Sequence, residues 1–185
     1  MLNKKMIQTT QTALEQKRQK ILDRYRQKQP FRASIGKSKW IDYTNFNPDY
    51  NLREILNDEI CVEFDTKNED LAWKGINFTA INLYQAGYIF QIWDHGGKSP
   101  HLHVHDLPIT QLEPDKRRLF KKIFIRKYVP LEYLKFVDYS LTGIHLIAIE
   151  WVEHWKGCYG VKELLYEFDP LENQNETLQN LSKTA

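Results

Sequence analysis

The chain is poor in cysteine. Its 185 residues include only 2, Cys61 and Cys158. That is too few for a zinc site of three or four thiolates, or for one of paired Cys and His at short spacing. Cys61 lies in an apolar run, where a buried thiol is the ordinary expectation. No stretch approaches the roughly 20 apolar residues of a membrane-spanning helix. The opening Met1-Leu2-Asn3-Lys4-Lys5-Met6 lacks the apolar core of a secretory signal. These absences point to a reducing, cytoplasmic setting with no membrane partner. Charge of one sign is also missing: 26 Lys+Arg against 24 Asp+Glu leave a formal net charge of +2. No global cationic field announces a polyanion, so any basic surface must be local. There is no internal repeat and no low-complexity tract.

Aromatic residues are plentiful, with 5 Trp, 10 Tyr and 9 Phe. Most belong in a core, and some suit stacking against bases. The length fits one domain with tails, and 42% apolar residues are ordinary for a globular chain. Residues 9–29 predict a helix with Leu14, Ile21, Leu22 and Tyr25 as its apolar stripe; its remaining face is basic. Pro30 ends it. Residues 31–58 read as irregular, with a short helical stretch near Leu52–Leu56. The segment 1–57 is therefore expected as a helix and lead-in packed on a core at 58–170, and 171–185 as a polar tail.

The core is organised around residues 60–107. Ile60-Cys61-Val62-Glu63-Phe64-Asp65 reads as a strand, so Glu63 and Asp65 share one face and Phe64 takes the other. A helix over 68–86 follows, then a strand at 88–93 and a turn at Asp94-His95-Gly96-Gly97. The returning strand carries His101, His103 and His105 on one face. Beyond it, 113–128 predicts a helix with the densest run of Lys and Arg in the chain, a candidate for phosphate-backbone contact. Residues 134–139 and 144–151 read as strands, and 161–168 as a closing helix. The order is that of an α+β protein with a mixed or antiparallel sheet and flanking helices.

Carboxylates on neighbouring strand tips suit Mg2+ or Mn2+, which take hard oxygen ligands and bridge substrate phosphates. Glu63, Asp65 and Asp138 are the candidates. A Gly-Gly-Lys-Ser turn beside them suits a triphosphate cradled by backbone N–H groups with Lys98 adding charge, and His101 then reads as a phosphate donor. A second glycine-flanked basic turn, Lys156-Gly157-Cys158-Tyr159-Gly160-Val161-Lys162, reads either as a plain loop or as a phosphate or template contact.

In their order and setting these residues resemble the archaeo-eukaryotic primase superfamily of primase-polymerases. Val62-Glu63-Phe64-Asp65 is similar to its acid-x-acid motif, Gly97-Lys98-Ser99-Pro100-His101 to its small-x-His motif, and Phe136-Val137-Asp138-Tyr139 to its third motif. Glu63 stands where that family usually has Asp, and Ser140-Leu141 where Asn often follows. The resemblance implies an RNA-recognition-like sheet and template-dependent nucleotidyl transfer, as in a DNA primase or polymerase. It implies catalytic metal binding by Glu63, Asp65 and Asp138, and contact with the incoming nucleotide by Ser99 and His101, with Lys98 assisting. Implied partners are nucleoside triphosphates, a DNA or RNA template and primer, and a separate helicase or large subunit. Two other readings remain open. One is a non-catalytic single-strand binder on the same sheet. The other is a histidine-triad-like nucleotide hydrolase, suggested by His101-Leu102-His103-Val104-His105 and weakened by Asp106 in a position that wants an apolar residue.

Overall fold

A computed structural model describes residues 2–36, 40–94, 99–153 and 160–170. The first helix, α1, runs Leu2–Lys28 and starts earlier than its apolar stripe suggests. Leu22 and Tyr25 are buried. Arg18, on the face expected to be solvated, is buried too, and its guanidinium donates to the Pro48 carbonyl at 2.9 Å.

The stretch 31–58, expected to be irregular, contains β1 (Arg32–Ser34), β2 (Trp40–Asp42) and β3 (Leu52–Glu54). Each strand is 3 residues long, too short for alternation to announce it. The stretch read as helical near Leu52 is β3. With β7 (Leu146–Ala148) these strands make an antiparallel sheet in the order β2-β1-β3-β7. α1 covers it, Leu22 and Tyr25 packing in one cluster with Phe31, Ala33 and Ile149.

The second sheet holds β4 (Ile60–Val62), β5 (Phe90–Asp94), β6 (His101–Val104) and β8 (Glu163–Phe168), in the order β4-β6-β5-β8. Every pairing is antiparallel, which decides between the mixed and antiparallel sheets expected. The helix α2 (Glu69–Gln85) carries the chain from β4 to β5. β6 then turns back between those two strands, a split β-α-β arrangement. The stretch 161–168, expected as a helix, instead carries the edge strand β8 over Glu163–Phe168. Leu164, Leu165 and Phe168 have helix-compatible spacing, but pairing to β5 decides the conformation.

α2 and α3 (Pro114–Tyr128) cover one face of this sheet. Ile60, Val62, Phe90, Ile92, Leu102 and Val104 meet Ala72, Ile76, Leu83, Phe124 and Ile125 there. Asn68 caps α2, its side chain accepting from the Leu71 N–H at 3.0 Å. Gly75 on α2 lies under Phe64, and a Cβ at that position would stand 2.8 Å from the Phe64 ring. Gly75→Ala is therefore expected to lower stability by roughly 1–2 kcal/mol. That figure is an overpacking cost of about 1–3 kcal/mol less part of the gain of about 1 kcal/mol in helix propensity. Urea denaturation measures it, and a stabilised variant would show that the ring moves freely.

Candidate active site

Beyond Val62 the chain leaves β4 and makes one further antiparallel bridge, Phe64 opposite Val137. The Asp138 N–H donates to the Glu63 carbonyl at 3.0 Å, and the Asp65 N–H donates to the Phe136 carbonyl at 2.7 Å. This bridge brings the three acids, distant in sequence, onto one short piece of paired backbone. Phe64 is buried at the bridge while Asp65 is exposed and Glu63 half-buried, as alternation requires. The residues before Asp138 are not a strand. Pro130 leads into a 3-10 helix at Leu131–Phe136, and Asp138 heads a second at Tyr139–Thr142. Asp138 Oδ1 accepts from the Ser140 N–H at 2.9 Å, so it is also the cap of that turn.

Ser99 and His101 join the acids. Ser99 Oγ donates to the Phe64 carbonyl at 3.0 Å, and His101 Nε2 lies 3.1 Å from Glu63 Oε2. Five of the six residues singled out in the sequence therefore meet around the Phe64–Val137 bridge. The sixth, Lys98, lies outside the described residues, as do His95-Gly96-Gly97 of the turn. The donors at the mouth are hard carboxylate oxygens, which fit Mg2+ or Mn2+. The acids do not close on a single point. Among the described residues, the sets of three ligand atoms all within 4.8 Å of one another are Cys61–His101–His103 and Glu59–His103–His105. Buried Cys, His and Glu groups that could hold a metal ion thus lie behind the carboxylates.

The histidine row runs inward from the site. Successive rings of His101, His103 and His105 stack with centroids 5.9 Å apart, and Tyr25 stacks on His105 at 6.0 Å. The row faces a charged seam between the two sheets that sequence reasoning missed. Arg53, Glu59, His103, Glu150 and Lys162 are each 0% exposed. The Arg53 guanidinium donates to Glu59 at 2.8 Å through two nitrogens, and to Glu150 at 3.0 and 2.5 Å. His103 Nδ1 lies 2.6 Å from Glu59 Oε1, and Lys162 Nζ lies 3.2 Å from His103 Nε2. Lys162 Nζ also donates to the Ala148 carbonyl at 3.0 Å. Lys162 is thus an interior cation, not the end of a phosphate-binding turn; residues 156–159 of that turn lie outside the described residues.

Burial is the largest influence and would raise the pKa of Glu59 and Glu150, but the Arg53 guanidinium together with His103 and, for Glu150, the Lys162 ammonium holds both below the usual carboxylate range. Burial and the Lys162 ammonium push His103 down to about 3, against the pull of Glu59. Between pH about 3 and 6.5 the unfolded chain binds a proton at this imidazole and the folded chain does not. Stability is therefore expected to fall as pH drops through that window, by about 1.4 kcal/mol per unit at the steepest. Below 4.5, the ordinary value of Glu59 and Glu150, those carboxylates add to the loss with the same sign. Urea midpoints measured from pH 7 to pH 4 test this, and a flat profile would contradict it.

α3 is less available than its charge suggests. Lys121 is buried, donates to the Leu56 carbonyl at 3.0 Å, and is pushed down to about 8, chiefly by burial. Arg117 is bound to Asn57 and to the Leu112 carbonyl. Lys116, Arg118, Arg126 and Lys127 remain exposed. A cleft of about 310 Å³ between α3 and the second 3-10 turn includes Arg117, Arg118, Lys121 and Gly143 in its walls.

No family model, curated protein or solved structure matches this chain. Among the described residues, no helix is long and apolar enough to cross a membrane.

Proposed function

We propose that this chain is a template-dependent nucleotidyltransferase of the primase-polymerase type, extending or starting a nucleic-acid strand. One observation carries the reading: Glu63, Asp65 and Asp138 meet at one backbone bridge with Ser99 and His101 beside them. The split β-α-β arrangement beneath them supports the RNA-recognition-like sheet that the resemblance implies.

In the reaction, the hydroxyl at a strand end attacks the α-phosphate of a nucleoside triphosphate. A P–O bond forms, the hydroxyl proton passes to solvent, the α–β anhydride breaks, and pyrophosphate leaves. Glu63, Asp65 and Asp138 would hold Mg2+ or Mn2+, which when bound supplies charge stabilisation at the attacking and leaving oxygens. Ser99 and His101 orient the triphosphate. Because Glu63 Oε2 lies 3.1 Å from His101 Nε2, a phosphate oxygen reaches that nitrogen only by displacing the carboxylate. Glu63 would then be free to turn toward Asp65 and Asp138. The exposed cations of α3 suit the strand backbone, since α3 packs on the turn that Asp138 heads. A separate helicase or large subunit belongs to the same reading as a partner.

The histidine-triad reading has the least support, because His101, His103 and His105 are only 2%, 0% and 9% exposed and no ring is presented as a nucleophile. Primer extension with Mg2+ or Mn2+, with deoxy- or ribonucleotides, and with or without a primer tests the proposal. Metal-dependent product is the expected result. Salt-dependent strand binding without product under either metal would leave only the non-catalytic binder.

A further inference from the structure

The carboxylate site uses one side of His101. On the other side a different donor set is assembled, and nucleotidyl transfer does not require it. Cys61 Sγ lies 3.8 Å from His101 Nδ1 and 3.8 Å from His103 Nε2. Bonds of about 2.3 Å to sulfur and about 2.0 Å to nitrogen, opened to about 110–120° at a shared ion, give S···N separations of roughly 3.5–3.8 Å. The three donor atoms all lie within 4.8 Å of one another. All three side chains are buried on paired strands, with Cys61 directly opposite His103 in the β4–β6 register.

The far nitrogen of each ring is the second observation. His103 Nδ1 is 2.6 Å from Glu59 Oε1, and His101 Nε2 is 3.1 Å from Glu63 Oε2. His103 is therefore set to donate its Nδ1–H to Glu59 and to turn Nε2 toward the thiol, while the Glu63 carboxylate stands beside the side of His101 that faces away from the thiol. Histidines that ligate metals are oriented by carboxylates in this way. The rival set, Glu59–His103–His105, fails the same test, because both Glu59 oxygens already accept from Arg53.

We propose that Cys61 Sγ, His101 Nδ1 and His103 Nε2 form a site for a thiophilic divalent transition-metal ion of the Zn2+ class, distinct from the hard-cation site at the carboxylates. One thiolate and two imidazoles select such an ion over Mg2+. Three protein ligands leave a fourth tetrahedral position. Binding exchanges the thiol proton, which leaves to solvent, for the metal–sulfur bond. The competitor is the Lys162 ammonium, 3.2 Å from His103 Nε2. It keeps the Ala148 carbonyl at 3.0 Å and Glu150 at 3.7 Å when it yields that nitrogen. Arg53 is the other nearby cation, and both its forks are taken by Glu59 and Glu150.

Co2+ titrated into the metal-free full chain tests this without any turnover assay. The expected result is one equivalent bound, with a thiolate-to-cobalt charge-transfer band and the intense visible bands of four-coordinate cobalt, all displaced by Zn2+. Cys61→Ala abolishes the charge-transfer band, whereas Cys158→Ala keeps it. Glu63→Gln keeps all three proposed ligands but removes the charge beside His101 and one acid of the carboxylate site; it weakens the Co2+ affinity read from the thiolate charge-transfer band by roughly 10- to 100-fold. If Cys61→Ala fails to fold, the Cys158→Ala and Glu63→Gln arms decide. A natively folded protein without the band, or a band lost with Cys158, would overturn the inference. Neither result bears on primer extension, so the two readings fail separately.

Discussion

Replacing Asp65 by Asn is expected to lower nucleotide incorporation by roughly 1,000-fold, about 4 kcal/mol of transition-state stabilisation. The substitution removes the anionic charge from the most exposed of the three acids while keeping its shape. It should leave the fold alone, because Asp65 holds its place through the backbone: its N–H pairs with the Phe136 carbonyl at 2.7 Å. Exposed substitutions away from special contacts usually change stability by no more than about 0.5 kcal/mol. Single-turnover primer extension and a urea melt on the same preparation separate the two effects. Asp138→Asn should behave alike, since Asn still accepts from the Ser140 N–H as a cap. A variant with near-normal incorporation would remove these acids from the mechanism.

Arg53→Met is expected to cost about 3–5 kcal/mol of stability, the usual penalty for orphaning one side of a buried ion pair. Glu59 and Glu150, both 0% exposed, would lose the one guanidinium that bridges them. Lys162, 3.7 Å from Glu150, offsets little of this. Set against a typical domain stability of about 5–15 kcal/mol, the loss is large enough to leave the chain partly unfolded at 37 °C. Adding Glu150→Gln should return part of the loss, and a double-mutant cycle by urea denaturation measures the coupling. A loss under about 1 kcal/mol would mean that the seam is not a paired network in solution.

That seam was illegible in the sequence for a plain reason. Arg53, Glu59, Glu150 and Lys162 come from four separate segments, and a charge within a short strand ordinarily marks solvent. Arg53 even sat in a stretch that read as helical. The three acids were easier to find because each follows an apolar residue in a recognisable setting. Their setting was only half right, since Asp138 heads a 3-10 turn where a strand was expected. α2, α3 and β4–β6 were visible in their apolar periods. β1–β3 were too short to show one. β8 looked helical because partner strands, unlike helix turns, leave no trace in local spacing. The thiol–imidazole set was missed because cysteine arithmetic counts neighbours in sequence, and register brings Cys61 opposite His103.

The two sheets share one consequence of their stitching. β7 completes the first and β8 completes the second, and both come from the last quarter of the described chain. During synthesis the first layer lacks its final edge until Ala148 has emerged and the second until Phe168 has, and Lys162 arrives only with that last strand. Such late, long-range closure is slow compared with local helix formation. A nascent chain will hold its helices and hairpin early, exposing half-built sheets to neighbouring polypeptides until the final strand docks.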